Sequence, residues 1–166
     1  MALITNQVTY RQLIEMFEQF SSDHNELNSF GYGALDALIE SATEGNWDYN
    51  NYPKLYIVDD TPLVEFSEGQ QVFNFQVVLC GIEFDKDSKR LYEAHIKSDM
   101  IQVYQDFLAF LRIEPQILTN DVLISNNGTS SGTSFIERFD DNLVGLVFNL
   151  SIKQAINLNL CAAPLD

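Results

Sequence analysis

Val144-Gly145-Leu146-Val147-Phe148-Asn149-Leu150-Ser151-Ile152-Lys153 is the stretch that decides how this chain folds. Val144, Leu146, Phe148, Leu150 and Ile152 fall on one side of an extended backbone. Gly145, Val147, Asn149, Ser151 and Lys153 fall on the other. Side chains of a strand alternate between faces, so a period of two marks a half-buried antiparallel strand. Such a strand needs strands beside it and something apolar over its greasy face. The flanking sequence supplies both.

Ser134 to Phe139 reads as a strand that turns at Asp140-Asp141-Asn142 into the alternating stretch. Before it lies a polar, glycine-containing loop, Asn126-Asn127-Gly128-Thr129-Ser130-Ser131-Gly132, and before that a short strand over Asp121 to Ser125. Further upstream, Gln71 to Ile82 is a second long strand. It follows the turn Ser67-Glu68-Gly69-Gln70, and Leu63 to Phe66 stands ahead of that turn. The spacing predicts an antiparallel hairpin. Lys54 to Val58 is a strand after Pro53, broken at Thr61-Pro62.

Two helices are expected. Thr9 and Gln12 have capping-box spacing, and Val8 and Leu13 stand where a hydrophobic staple would put them. Tyr10, Leu13, Met16, Phe17 and Phe20 then recur at helical steps, giving a helix over about Thr9 to Ser21. The second helix begins near Asp87 or Ser88 and ends before Pro115, because the residue preceding a proline avoids helical angles. Its later part carries the stripe Met100, Val103, Tyr104, Phe107, Leu108 and Leu111, a core-facing pattern. Leu27 to Gly33 reads as a short irregular strand, with Gly31 and Gly33 allowing close backbone approach. Ala34 to Ala42 reads as helix or mixed loop, and Thr43 to Tyr52 as an exposed loop.

The order helix, hairpin, helix, hairpin predicts an α+β fold: an antiparallel sheet of two main hairpins with two helices packed on one face. One domain is expected over residues 1–166, with no linker or repeat dividing it. Residues 154–166 have no clear period and read either as an extended C-terminal arm or as a segment packed on its own domain.

Composition narrows the function. Hydrophobic residues make up 46%, enough for a core, so the chain is not disordered. Twenty-four acidic residues face nine basic ones, a formal net charge of −15. Nucleic-acid binding draws on Lys and Arg to displace counterions, and no basic cluster is present. Anionic membranes should repel the chain. No stretch approaches the ~20 apolar residues of a membrane span, and Met1 to Asn6 lacks the features of a signal peptide. A cytosol-like location is expected. Cys80 and Cys161 read as small buried hydrophobes. A disulfide between them would be compatible with the sequence but is not required by it.

No catalytic constellation stands out, so a non-enzyme with no cofactor and no metal is expected. His24 falls in a polar turn and His95 midway along the second helix. There is no Gly-x-Ser-x-Gly elbow to present a serine. Neither Gly31-Tyr32-Gly33 nor Gly128 to Gly132 has the following helix and lysine of a phosphate loop. Asp85-Lys86-Asp87-Ser88 starts like a calcium loop, but Arg90 holds the glycine position and Ile96 the place of the bidentate glutamate. The pairs Asp59-Asp60 and Asp140-Asp141 mark turns.

The block Phe135-Ile136-Glu137-Arg138-Phe139-Asp140-Asp141-Asn142-Leu143-Val144-Gly145, with the strand from Leu146 to Lys153, resembles the C-terminal hairpin of tailed-bacteriophage neck and tail proteins of the tail-completion or tail-terminator type. Leu13-Ile14-Glu15-Met16-Phe17, Ser29-Phe30-Gly31-Tyr32-Gly33, Tyr52-Pro53-Lys54-Leu55-Tyr56-Ile57, Phe73-Asn74-Phe75 and the long helix follow the family's order. The resemblance implies a virion protein: a subunit of a ring, often of six copies, joining the tail tube to the head connector on the portal side. DNA would pass through such a ring without specific binding, and no membrane would be involved. The family has no catalytic residues to carry over.

A ring subunit needs exposed edges for strand addition or loop insertion. The candidates are the loop Asn126, Asn127, Gly128, Thr129, Ser130, Ser131 and Gly132, and the tail residues Ile156, Leu158 and Leu160. Within the same world, a head-side adaptor or a tube subunit is an alternative. From another class, Phe30 to Gly33 could line the pocket of a small-ligand binding domain.

Overall fold

The computed structural model describes residues 7–38, 49–59, 63–67, 69–83, 89–119, 123–125, 132–138 and 142–156. Two 14-residue strands dominate it: β4 (Gln70–Glu83) and β7 (Asn142–Ala155). They pair antiparallel along their full length, from Gln70 opposite Ala155 to Glu83 opposite Asn142. The remaining strands are short and flank this ladder in pairs. β2 (Lys54–Val58) and β3 (Val64–Ser67) lie along the outer side of β4, each covering one half. β6 (Gly132–Arg138) and β5 (Leu123–Ser125) do the same for β7. β1 (Ser29–Gly33) pairs with β2 in parallel. The fold is α+β, and the two expected hairpins are β3–β4 and β6–β7. The one correction to an all-antiparallel sheet is β1–β2. Helix α1 separates β1 from the start of the chain, and the crossing through residues 34–53 returns β2 in the same direction as β1.

Among the described residues the sheet is accompanied by α1 (Tyr10–Asp23), α2 (Lys89–Ile113) and α3 (Pro115–Thr119). A helical turn also spans residues 35–38. The capping box of α1 is formed. Gln12 N–H donates to Thr9 Oγ1 at 3.3 Å, and Thr9 N–H donates to Gln12 Oε1 at 2.8 Å. Val8 and Leu13, the staple pair, are both buried in the main core. Pro115 ends α2 as its position predicts and then opens α3, where its missing N–H costs nothing.

The alternation of β7 is realised. Register pairs Leu146 with Leu79, Phe148 with Val77, Leu150 with Phe75 and Ile152 with Phe73. These residues, with Leu55 and Ile57, form the face that packs on the helices. The helices contribute Leu13, Met16, Phe17 and Phe20 from α1 and Met100, Val103, Tyr104, Phe107 and Leu111 from α2. Leu108, also in the expected stripe, is only partly buried against this core. Aromatic rings fill much of the space. Phe17 meets Phe75 and Phe107 edge-on at 5.3 Å each, and Tyr104 stacks on Phe148 at 3.7 Å. Each such buried side chain contributes about 1.5–3 kcal/mol by leaving water.

The second face changes character along its length. At the β1, β2 and β6 end it is apolar: Tyr56, Val58 and Val78 pack with Leu38, and Cys80, Ile82 and Leu143 pack with Tyr52 and Phe135. At the β3 and β5 end it carries Asn74, Gln76, Asn149, Ser151 and Lys153. Ser151 there donates from its hydroxyl to Asn74 Oδ1 at 2.8 Å, across the strands. Among the described residues no helix is long and apolar enough to cross a membrane.

Candidate interaction surface

Like β1, β5 and β6, β3 has a single strand neighbour among the described residues and so forms an edge of the sheet. Its sequence, Val64-Glu65-Phe66-Ser67, is only four residues, and all four side chains are exposed. Phe66 is 67% exposed. Among the described residues β3 bonds to β4 alone. The register places Val64 opposite Phe73, Glu65 opposite Val72, Phe66 opposite Gln71 and Ser67 opposite Gln70. Asn74 N–H donates to Leu63 O at 3.0 Å, which makes Leu63–Asn74 a hydrogen-bonded pair. Antiparallel pairs alternate between bonded and non-bonded, so Glu65 and Ser67 bond inward. Val64 and Phe66 therefore turn their N–H and C=O away from β4. The same two residues carry the exposed apolar side chains. They stand on the helix-side face, in line with Phe73 and Gln71.

The chain leaves β7 beside the β3–β4 turn. Ile156 N–H donates to Gly69 O at 2.8 Å, tying the residue after β7 to the β3–β4 turn. Two residues earlier, Gln154 is buried. Its Oε1 accepts from Val8 N–H, and its Nε2 donates to Val8 O and to Gln71 Oε1, each at 2.9 Å. The amide thus mimics a strand partner for Val8 and anchors the residue preceding the α1 cap. These contacts correct the start of the C-terminal arm. Gln154 and Ala155 belong to β7, and Ile156 is half-buried and held by the turn, because the β4–β7 ladder runs one bond further than the alternation of apolar residues. Leu158 and Leu160 lie outside the described residues.

Of the expected loop, Asn126, Asn127, Gly128, Thr129, Ser130 and Ser131 lie outside the described residues. Gly132 does not belong to a loop: it is the first residue of β6, opposite Phe148. A Cβ there would stand 2.5 Å from the Phe148 ring. Gly132 therefore makes room for the Phe148–Tyr104 stack, and packing accounts for it.

The Phe30 to Gly33 segment is packed as β1. Phe30 rests against the main core, and the Tyr56 ring fills the space over Gly31, 2.7 Å from where a Cβ would stand. Tyr56 donates from its hydroxyl to Ala34 O at 3.1 Å. Lys54 Nζ sits 5.9 Å from the centre of the same ring. The corner is occupied by its own side chains.

His24, Tyr10 and Cys80 are titratable groups held by contacts within the fold. His24 Nδ1 accepts from Glu26 N–H at 3.2 Å, and its Nε2 is 3.4 Å from Asp106 Oδ2, so the ring links the end of α1 to α2. His95 is exposed on α2. Tyr10 donates to Asp59 Oδ2 at 2.5 Å; burial first, and then this carboxylate, push the phenol well above its ordinary pKa. Burial pushes the Cys80 thiol up to about 12, which opposes a thiolate nucleophile. Asp60, the Asp85 to Ser88 turn, Asp140, Asp141 and Cys161 lie outside the described residues. Among the described residues no three His, Cys, Asp or Glu side chains are grouped as a metal site.

Sequence reasoning placed Leu63 to Phe66 beside a turn but did not single out Val64 and Phe66. A usable signal was there: apolar residues alternating with Glu65 and Ser67 in a run too short to be a central strand. In comparison with known proteins, the chain matches no family model and no curated protein sequence.

Proposed function

We propose that this chain is a structural subunit of a tailed phage, assembling with copies of itself into a ring that terminates the tail tube and joins it to the head connector. It acts by assembly and not by catalysis. The observation that carries the reading is the β3 edge. An exposed phenylalanine beside outward-turned backbone groups is a costly thing to leave bare, because such edges template pairing with other chains. In an acidic chain the apolar edge also offers association a route that charge repulsion opposes elsewhere. The block from Phe135 to Gly145 and the strand after it supply the resemblance to tail-completion proteins, and their folding as β6–β7 agrees with the hairpin that resemblance implies.

The net charge of −15 fits a channel subunit. A ring lined by carboxylates repels phosphates, and DNA can slide past without sticking. Location in the particle is the test. Tailed particles from a host carrying this gene are purified, their proteins identified by mass spectrometry, and the chain located by immunogold labelling. Label at the head–tail junction supports a terminator. Label on the head vertex, or along the tail, moves the chain to an adaptor or a tube subunit. Its absence from particles overturns the reading.

A further inference from the structure

We infer that β3 is the acceptor edge for the segment Asn157-Leu158-Asn159-Leu160 of a second copy of this chain, which adds to the sheet as a further strand. The inference rests on the ring reading above and names the contact that would build the ring.

Four observations carry it. Val64 and Phe66 turn backbone N–H and C=O outward, so the edge can accept a strand. Their side chains are exposed on one face at a spacing of two. Leu158 and Leu160 have the same spacing, so a strand added in register sets two apolar residues beside two, the cross-strand pairing that stabilises sheets. Finally, no charged residue occurs between Lys153 and Asp166, so this segment can approach an acidic neighbour without like-charge repulsion.

Reach decides between the chain's own β3 and a neighbour's. Ile156 is fixed beside Gly69, in line with β7. From there to the outer edge of β3 the chain must pass β4 and β3, about three strand spacings or roughly 14 Å. Extended chain covers that in about four residues. Asn157 to Leu160 would be spent on the crossing, and the alternating pair could not lie on the edge. On a second copy no crossing is needed. Donor and acceptor are different surfaces, so the contact is head-to-tail, and such contacts close into rings when the rotation between copies permits.

The test uses the purified full chain, with native mass spectrometry and light scattering across concentration. The wild type is expected to form oligomers larger than dimers. Val64→Pro removes an outward N–H at an edge position that tolerates proline. The double variant Leu158→Asp/Leu160→Asp spoils the donor. Each alone is expected to be monomeric with an unchanged circular dichroism spectrum. Mixed in equal amounts they are expected to form a one-to-one dimer and nothing larger, since together they hold one intact donor and one intact acceptor. If Val64→Pro loses the native spectrum, Phe66→Arg tests the same edge. A variant that assembles like the wild type, a mixture that stays monomeric, or a wild type that is monomeric at every concentration overturns the inference. Variants that still assemble leave the ring reading standing on other contacts. Absence from particles removes that reading whatever the purified chain does.

Discussion

The two ends of the β4–β7 ladder are built on different terms. At the end formed by Val77 to Glu83 and Asn142 to Phe148, both faces are covered. Helices lie on one, and Leu38, Tyr52 and Phe135 on the other. At the end formed by Gln70 to Gln76 and Asn149 to Ala155, the buried apolar residues Phe73, Phe75, Leu150 and Ile152 all lie on the helix face, and the flanking strands shrink to four and three residues. The same two strands thus pass from two-sided to one-sided burial. The covered end buries both faces of the ladder, while the open end holds outward-turned backbone on β3 and the exit of the chain after Ile156.

Substitutions at the two ends should separate these roles. The largest effect is expected at the covered end. Leu79→Ala empties a site with no solvent exposure and should cost about 2–5 kcal/mol in urea unfolding. A loss below about 1 kcal/mol would mean the core collapses around the gap, and the contrast would weaken. The open end has one strongly held point. Gln154→Leu keeps the volume but strands the N–H and C=O of Val8, so a loss of about 1–3 kcal/mol is expected from thermal melts. An unchanged melting temperature would show that water replaces the amide. Next to it, Thr9→Ala removes the cap of α1 and should cost about 1 kcal/mol. Helical circular dichroism on heating would show fraying there first.

The smallest stability effect is the most informative. Phe66→Ser should change unfolding by less than about 0.5 kcal/mol, because the ring already lies in solvent. If it destabilised the monomer as Leu79→Ala does, Phe66 would belong to the core, and the open end would lose its place as a surface.

Much of this architecture was legible. The period of two in Val144 to Lys153 is a local property, since neighbouring side chains on a strand must face opposite ways. The box at Thr9 and Gln12 is equally local, closed by bonds between residues three apart. Less was legible at the surface. Gly132 read as loop because glycine alone does not say whether it serves a bend or makes room for a ring across the sheet. Gln154 read as the start of an arm because its partner, Val8, stands 146 positions away.

The sequence by itself determined where the long strands and helices run and which face of each is apolar, because those follow from the spacing of side chains along one backbone. Only the tertiary structure decided that β4 and β7 are central, that β1 lies parallel to β2, and that β3 has one neighbour among the described residues. Strand order depends on which distant segments meet, and no local period encodes it. That choice also turned Val64 and Phe66 from two ordinary strand residues into an open edge, and an open edge is what a second chain can bind.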